Sequence, residues 1–555
     1  MSQLAASWAD EDYGAEQPTA ESTEPSSPAP GGEEPFPAEA PVPPAENNGE
    51  GGAAAAAAAA ASTEGEGMSD ALAPHSEEPT AAGSGTKEEK HFGKRATGID
   101  AETDRMARLF LGKEDEEEAR RRLKIVQSNP NSHLSSAKSF DEMDLPPALL
   151  KGVQHMGFEK PSAIQEMAIP MCLRSPPENL LAQAQSGSGK TATFCLAGLC
   201  RVETRMNMPQ MLIITPTREL AVQCVQETLL PMARFMDPPL RVFSALKGIH
   251  PPRDGITAHV VVGTPGSILG ALEKRRLLLT HTAVFVLDEA DAMLEDSGDP
   301  TGHRDKCIAI KEGYMRRGQH QTLLFSATFP RSVKEFGLRL ASPPVNEITL
   351  PDEKDLVLDV ITQLWIDLRN VRQTRLELIQ ELYDVLEMGQ SVIFCRTKRD
   401  ADMINEKLQM QGFTCSILHG SLDGDERDAT MKQFRMGLSK VLLTTNVLSR
   451  GVDVPAVSLV VNYDMPTLGY SSEADPDTYL HRIGRTGRFG RRGVAINLIQ
   501  DDNAYRVLES IDRHFSPTVT MVRHASTDVE ELEKIIVEES KKRVANRDLQ
   551  VAGPS

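Results

Sequence analysis

From about Phe140 onward the chain alternates short unbroken apolar runs with longer stretches whose apolar residues recur at helical spacing. The runs Asn179–Ala182, Met211–Thr215, His259–Val262, Ala283–Leu287 and Thr322–Phe325 predict a first series of strands. After a polar break near Pro351–Asp359, a second series is expected at Ser391–Cys395, Cys415–Leu418, Val441–Thr444, Val457–Val461 and Val494–Ile499. Apolar runs without polar alternation fit strands that are covered on both faces. Strands separated by helices imply crossover connections, parallel sheets and an α/β fold. Two series divided by a polar segment imply two similar domains, whose functional loops leave the carboxyl ends of the strands.

The flanks read differently. Residues 1–100 are rich in Glu, Pro, Ala, Gly and Ser and contain an Ala run from Ala53 to Ala61. So few large apolar side chains cannot offset the entropy of ordering, which predicts a disordered acidic tail. In the extension 101–137, Thr103 or Asp104 is placed to cap a helix over 103–111, with Met106, Leu109 and Phe110 on one face. A solvated helix and a docking helix both fit that pattern. The expected organisation continues with a first domain at 138–350, a linker at 351–359, a second domain at 360–540 and a flexible terminus at 541–555.

Charge changes the picture only locally. The formal charge is −20, but residues 1–90 hold 18 Asp/Glu against 2 Lys/Arg, so residues 91–555 contribute only −4. An acidic tail does not argue against nucleic acid, because a nearly neutral folded part can gather Lys and Arg on one face. The seven cysteines are scattered and form no C-x-x-C pair. They read as core residues in a reducing compartment, not as a disulfide framework or a zinc site. There is no run of 18 apolar residues and no basic-then-apolar leader. A soluble intracellular protein without membrane insertion is therefore expected.

Two segments carry candidate chemistry. Ala184-Gln185-Ser186-Gly187-Ser188-Gly189-Lys190-Thr191 follows a strand and enters a helix. In such a loop the backbone N–H groups surround phosphate oxygens, a lysine adds charge at the β- and γ-phosphates, and a hydroxyl reaches Mg²⁺. These parts would be Lys190 and Thr191. Val284-Phe285-Val286-Leu287 then delivers Asp288 and Glu289 to a strand end. Asp288 suits a Mg²⁺ ion, and Glu289 suits the orientation and deprotonation of an attacking water. Alone, the first is a Gly/Ser-rich turn and the second a helix cap. Together they point to hydrolysis of ATP with Mg²⁺.

The run Asp288-Glu289-Ala290-Asp291 resembles the signature of the DEAD-box family of RNA helicases, and other family motifs occur in order. Gly157-Phe158 with Pro161, Ser162, Ile164 and Gln165 is similar to the adenine-reading segment. This resemblance implies Phe158 stacked on the base and Gln165 on its edge; Phe140 resembles the family's upstream aromatic. Pro216–Ala221 and Gly263–Gly266 resemble first-domain RNA elements, implying that Arg218, Thr264 and Gly266 grip sugar and phosphate. Ser326-Ala327-Thr328 resembles the coupling motif. In the second half, Phe394–Thr397 and Thr445–Asp453 resemble family elements that put Arg396 and Thr445 on RNA and Asp453 on the ribose hydroxyl. His481 through Arg488 resembles the element in which Arg485 and Arg488 stabilise the transferring phosphoryl group and His481 couples nucleotide to RNA. Departures are Ala184 for the usual first Gly, Lys247-Gly248 for Gly-Gly, Ser267 for Arg, Asn446 for Asp, and no Gln ahead of Arg427.

The resemblance covers roughly 138–540. It implies two tandem RecA-like domains that close on ATP and single-stranded RNA, unwinding short duplexes or remodelling RNA–protein complexes as a monomer. Asn129–Ser132, Pro176–Leu180, Thr444–Asn446 and the loop Pro466–Thr478 are similar to the mRNA-export branch of the family. That branch works at the cytoplasmic face of the nuclear pore, with an inositol-hexakisphosphate-bound activator and a cytoplasmic-side nucleoporin as partners. An expected location in cytoplasm and nucleus follows, and the 103–111 helix matches its regulatory helix. An ATP-dependent RNA clamp of slow turnover and a translation-initiation helicase are the alternatives.

Overall fold

Each unbroken apolar run of the first series becomes a parallel strand with helices against both of its faces. The computed structural model describes residues 123–128, 136–295, 302–316, 318, 320–350, 361–385, 390–446, 457–469, 471–487, 493–515 and 522–534. The expected tail, 103–111 helix, 351–359 linker and 541–555 terminus lie outside the described residues, as do Asp453 and Arg488.

The first lobe begins with β1 (Lys124–Val126), α1 (Pro147–His155), α2 (Ala163–Leu173), β2 (Asn179–Gln183), α3 (Lys190–Leu199), β3 (Met211–Ile214) and α4 (Arg218–Gln223). It continues with β4 (Val242–Ala245), β5 (Val260–Gly263), α5 (Pro265–Glu273), β6 (Val284–Asp288), α6 (Ala290–Leu294), α7 (His303–Tyr314), β7 (Gln321–Ser326), α8 (Arg331–Ala341) and β8 (Val345–Thr349). Its sheet order is β1-β8-β2-β7-β6-β3-β5-β4, with β1 antiparallel on β8 and the other pairings parallel. Alternate residues of one strand feed opposite cores. Val262, Val286 and Phe325 join one buried cluster, and their neighbours Val261, Phe285 and Leu324 join the other.

The second lobe runs through β9 (Ile361–Asp367), α9 (Arg375–Val385), β10 (Gln390–Phe394), α10 (Lys398–Met410), β11 (Cys415–Leu418) and α11 (Gly424–Arg435). Then come β12 (Val441–Thr444), β13 (Val457–Asn462), α12 (Pro476–Ile483), β14 (Gly493–Ile499), α13 (Asp502–Phe515) and β15 (Val522–Ala525). The order is β11-β12-β10-β13-β14-β9-β15, parallel throughout. The tandem α/β architecture matches the expectation. Strands β1, β4, β8, β9 and β15 go beyond the two expected series. In β8 (Val-Asn-Glu-Ile-Thr) and β9 (Ile-Thr-Gln-Leu-Trp-Ile-Asp), polar residues interrupt the run that marks the others. Most of their side chains, Asn346, Thr362 and Gln363 among them, are buried by neighbouring elements, and hydropathy alone cannot register that.

One buried polar network fixes α12 on the second sheet. Arg482, 2% exposed, donates from Nη1 to Asn462 Oδ1 and to the Asp464 carbonyl, and from Nη2 to Asn446 Oδ1. Asn462 donates to Asn497, whose amide reaches the Tyr479 hydroxyl, which donates to Gln363. Linked buried hydrogen bonds hold their members in one arrangement. Here the member held is the helix that carries His481. No helix among the described residues is long and apolar enough to cross a membrane.

Candidate active site

Strand register assembles the first-lobe half of the site. Gln183 of β2 stands beside Ser326 of β7, and Phe325 stands beside Asp288 of β6. The Ala184 N–H donates to the Ser326 carbonyl at 3.1 Å. Thus the start of the phosphate loop, the Ser326–Thr328 turn and the two carboxylates emerge together.

The loop curls through Gly187 at φ 77° and Gly189 at φ 96°, a region that side chains other than glycine's disfavour. A Cβ at 189 would also lie 2.6 Å from Gln165 Nε2, so the glycine lets the Gln165 amide approach the loop. Gln165 accepts from the Ser162 N–H at 2.9 Å, closing the capping box of α2, and the Ser162 hydroxyl donates to the Ser188 carbonyl at 2.7 Å. Phe158 is half-buried against the first-lobe core, while Phe140 is buried inside it. Lys190 points its ammonium back into the curl, donating to the Ala184 and Gln185 carbonyls at 2.7 and 3.0 Å. Thr191 follows, half-buried, in the first turn of α3. Ser188 Oγ is buried and lacks a hydrogen-bond partner among the described residues. A glycine-curled backbone with a lysine ammonium against it and a buried unpartnered hydroxyl is the chemistry that fits a polyphosphate.

Burial pushes the Asp288 carboxyl up to about 7, the Glu289 charge adds to the rise, and Lys190 opposes it. A carboxylate so crowded by negative charge suits a divalent cation. Glu289 is held at φ 50° as the residue before α6, an uncommon conformation for a side-chain-bearing residue. Its Oε2 is buried without a hydrogen-bond partner among the described residues, as a group waiting for a water or substrate would be.

The second lobe closes over this half. His481 Nε2 donates to Asp291 Oδ2 at 2.9 Å, and the Thr328 hydroxyl donates to the same oxygen at 2.7 Å. Ligand atoms of Glu289, Asp291 and His481 all lie within 4.8 Å of one another. Arg485, 3% exposed, donates from Nε to the His481 carbonyl at 2.8 Å. The preceding Gly484 packs on the phosphate loop itself: a Cβ there would sit 3.4 Å from Ser186 Cβ. A nucleotide on this loop therefore lies between the lobes.

A family model described as DEAD/DEAH box helicase matches residues 162–336, and one described as Helicase conserved C-terminal domain matches residues 374–490. Over 419 residues the chain is 46% identical to the ATP-dependent RNA helicase DBP5 of Candida albicans, covering 76% of this chain and 75% of that protein. The chain belongs to the DEAD-box family of ATP-dependent RNA helicases. The helicase is similar in structure to Saccharomyces cerevisiae Dbp5 bound to RNA and ADP BeF3, with a TM-score of 0.67, 42% identity, and coverage of 73% of this chain and 100% of that one. It is also similar to a variant of S. cerevisiae Dbp5 bound to Nup159, a Gle1 variant, IP6 and ADP, with a TM-score of 0.51, 41% identity, and coverage of 72% and 100%.

The remaining residues expected at the site divide between two surfaces. Thr264 precedes α5 and its hydroxyl donates to Ser267 Oγ, while Gly266 is exposed on the first turn. Across the cleft, Arg396 is exposed, with its N–H on Asp464 and its guanidinium on the Thr467 hydroxyl, and Thr445 is half-buried after β12. Arg218 stands apart from this set, because its guanidinium is committed to Asp428 of the second lobe. Sequence reasoning did not single out Asp291 as the residue that receives His481, nor Arg482 as the anchor of α12. The literal Asp-Glu-Ala-Asp run carried a signal for the first. For the second, an arginine inside a basic motif has no mark of burial.

Proposed function

We propose that this helicase hydrolyses ATP when nucleotide and single-stranded RNA together draw the lobes closed. Gly187, Ser188, Gly189 and Lys190 bind the phosphates, with Ala184, Gln185 and Ser186 completing the loop, and Phe158 and Gln165 receive the adenine. Thr191 and Asp288 would hold Mg²⁺, which when bound would supply charge neutralisation for the phosphates. Glu289 orients the attacking water and takes its proton. Arg485, with Arg488 beyond the described residues, stabilises charge on the transferring group, and Asp453 takes the ribose. Thr264, Gly266, Arg396 and Thr445 contact sugar and phosphate, so the enzyme is indifferent to base sequence.

The observation that carries the reading is the His481–Asp291–Thr328 junction, two residues from Glu289 and made by both lobes. It ties the carboxylate end of β6 to the Ser326–Thr328 turn on one side and, on the other, to α12, which leads into Arg485. Closure then completes the catalytic set, and ATP and RNA strengthen each other's binding by reciprocal linkage.

We place this activity in mRNA export at the cytoplasmic face of the nuclear pore, with the protein in cytoplasm and nucleus. Support comes from the relative that is bound to Nup159, a Gle1 variant and IP6. The test is a multiple-turnover ATPase assay with and without single-stranded RNA, repeated with the IP6-loaded activator. RNA should raise turnover, and Glu289→Gln should keep ATP and RNA binding while losing about 10²- to 10⁴-fold in rate. Retention of RNA without phosphate release by the unaltered protein would identify a clamp instead. Normal turnover in Glu289→Gln would remove Glu289 from its role.

A further inference from the structure

The α4 helix of the first lobe crosses the N-terminal half of α11 in the second. Leu220, 4% exposed, belongs to the apolar cluster formed by Val392, Phe394, Leu418, Met431 and Phe434 of the other lobe. Charged pairs of opposite sense ring this apolar plug. Arg218 donates from Nε and Nη2 to the two carboxylate oxygens of Asp428 at 3.1 and 2.7 Å, and from Nη1 to the Lys247 carbonyl at 3.1 Å. The adjacent residues repeat the contact with signs exchanged, Arg427 reaching Glu219 at 2.6 Å. Farther along, Arg435 meets Gln223 and Glu227 at 3.1 and 2.5 Å.

The Arg218 guanidinium occupies space that only a glycine leaves open. A Cβ at Gly424, the first residue of α11, would lie 2.6 Å from Arg218 Nη1 and 2.7 Å from its Cζ. Gly424 needs no special backbone conformation, and its helix start is already capped by Asp423 and Glu426. Its missing side chain is therefore explained by what stands in its place. A bidentate arginine–carboxylate pair is directional and fixes register as well as attraction. With both partners on different lobes, it can form only in the closed arrangement.

From this we infer that Arg218, seated against Gly424 and clamped by Asp428, is a positioning residue that latches the closed lobes around the Leu220 plug, and is not an RNA-phosphate contact. The inference rests on the closure reading above and adds the residues that set its equilibrium. All steps use the full chain. The assays are RNA-stimulated ATPase and an inter-lobe fluorescence-transfer pair with a non-hydrolysable ATP analogue. Asp428→Asn and Gly424→Ala should each raise the RNA concentration for half-maximal stimulation about tenfold. At saturating RNA, kcat should stay within about twofold, because mass action restores closure. Neither effect should add to that of Arg218→Gln. Gly424→Ala is the sharper variant, since alanine favours the helix that it enters. Its melting midpoint should hold or rise while the closed fraction falls, which loss of folding would not produce.

The latch is overturned if Asp428→Asn and Gly424→Ala close like the unaltered protein. In that case Arg218→Gln alone should reduce the slope of log affinity against log salt by about one, as loss of a phosphate contact does. Absence of RNA stimulation in the unaltered protein would count against the helicase cycle instead. The fluorescence signal with nucleotide analogue would still decide the latch.

Discussion

The junction between His481 and Asp291 can be weighed by a double-mutant cycle. Both side chains are at most 4% exposed, so their 2.9 Å hydrogen bond is shielded from water. A hydrogen bond to a charged group contributes about 1.5 to 3 kcal/mol, and 1.4 kcal/mol is tenfold in an equilibrium. His481→Ala removes that bond only where the lobes meet, so it should lower RNA-stimulated kcat/KM by about 10- to 100-fold. Thr328→Val removes the other bond to Asp291 Oδ2, but Thr328 and Asp291 share a lobe. Their contact is present whether the cleft is open or closed, and its loss should reduce stability more than closure. Combining His481→Ala with Asp291→Asn should expose a coupling of about 1 to 2 kcal/mol in RNA-stimulated turnover. Single effects that add to within about 0.5 kcal/mol would refute a direct catalytic coupling between the two residues.

Three further outcomes test the first lobe. Lys311 of α7 is buried, donates to the Leu340 carbonyl and lies 5.9 Å from the Phe285 ring, and burial brings its ammonium down from 10.5 to about 8. Below about pH 8 both folded and unfolded chains carry its proton and the full burial penalty applies. As pH rises from about 8 through 10.5 the unfolded chain binds more protons than the folded one, so the penalty fades and relative stability increases. Lys311→Met should therefore stabilise the lobe by about 1 to 3 kcal/mol at neutral pH, with the gain shrinking towards pH 10. A lower melting midpoint at neutral pH would contradict this. Chelation of divalent cations should abolish turnover reversibly, and Thr191→Ala should raise the Mg²⁺ concentration required. Unchanged turnover in chelator would remove the metal from Thr191 and Asp288.

Much of the architecture was legible residue by residue. Central parallel strands covered on both faces are mostly unbroken apolar runs, so Met211–Ile214 and the Val284–Leu287 stretch before Asp288 announce themselves. The phosphate loop is equally local: glycine conformations, Lys190 and the following helix start lie within a few residues. Chemistry that depends on contiguous backbone is written in contiguous sequence.

Pairings between the lobes are not written that way. His481 and Asp291 are 190 residues apart, and Arg218 and Asp428 are 210 apart. Each reads by itself as an ordinary charged residue in a motif or on a helix face. Gly424 reads as an unremarkable helix start until the Arg218 guanidinium is found in the place of its side chain. Strands β8 and β9 likewise mix polar with apolar residues, and packing on both faces is what makes them strands. Sequence by itself determined the class of fold and named the candidate residues of each half-site. Only the tertiary structure decided which halves meet, because burial and long-range ion pairing depend on distances that no local spacing encodes.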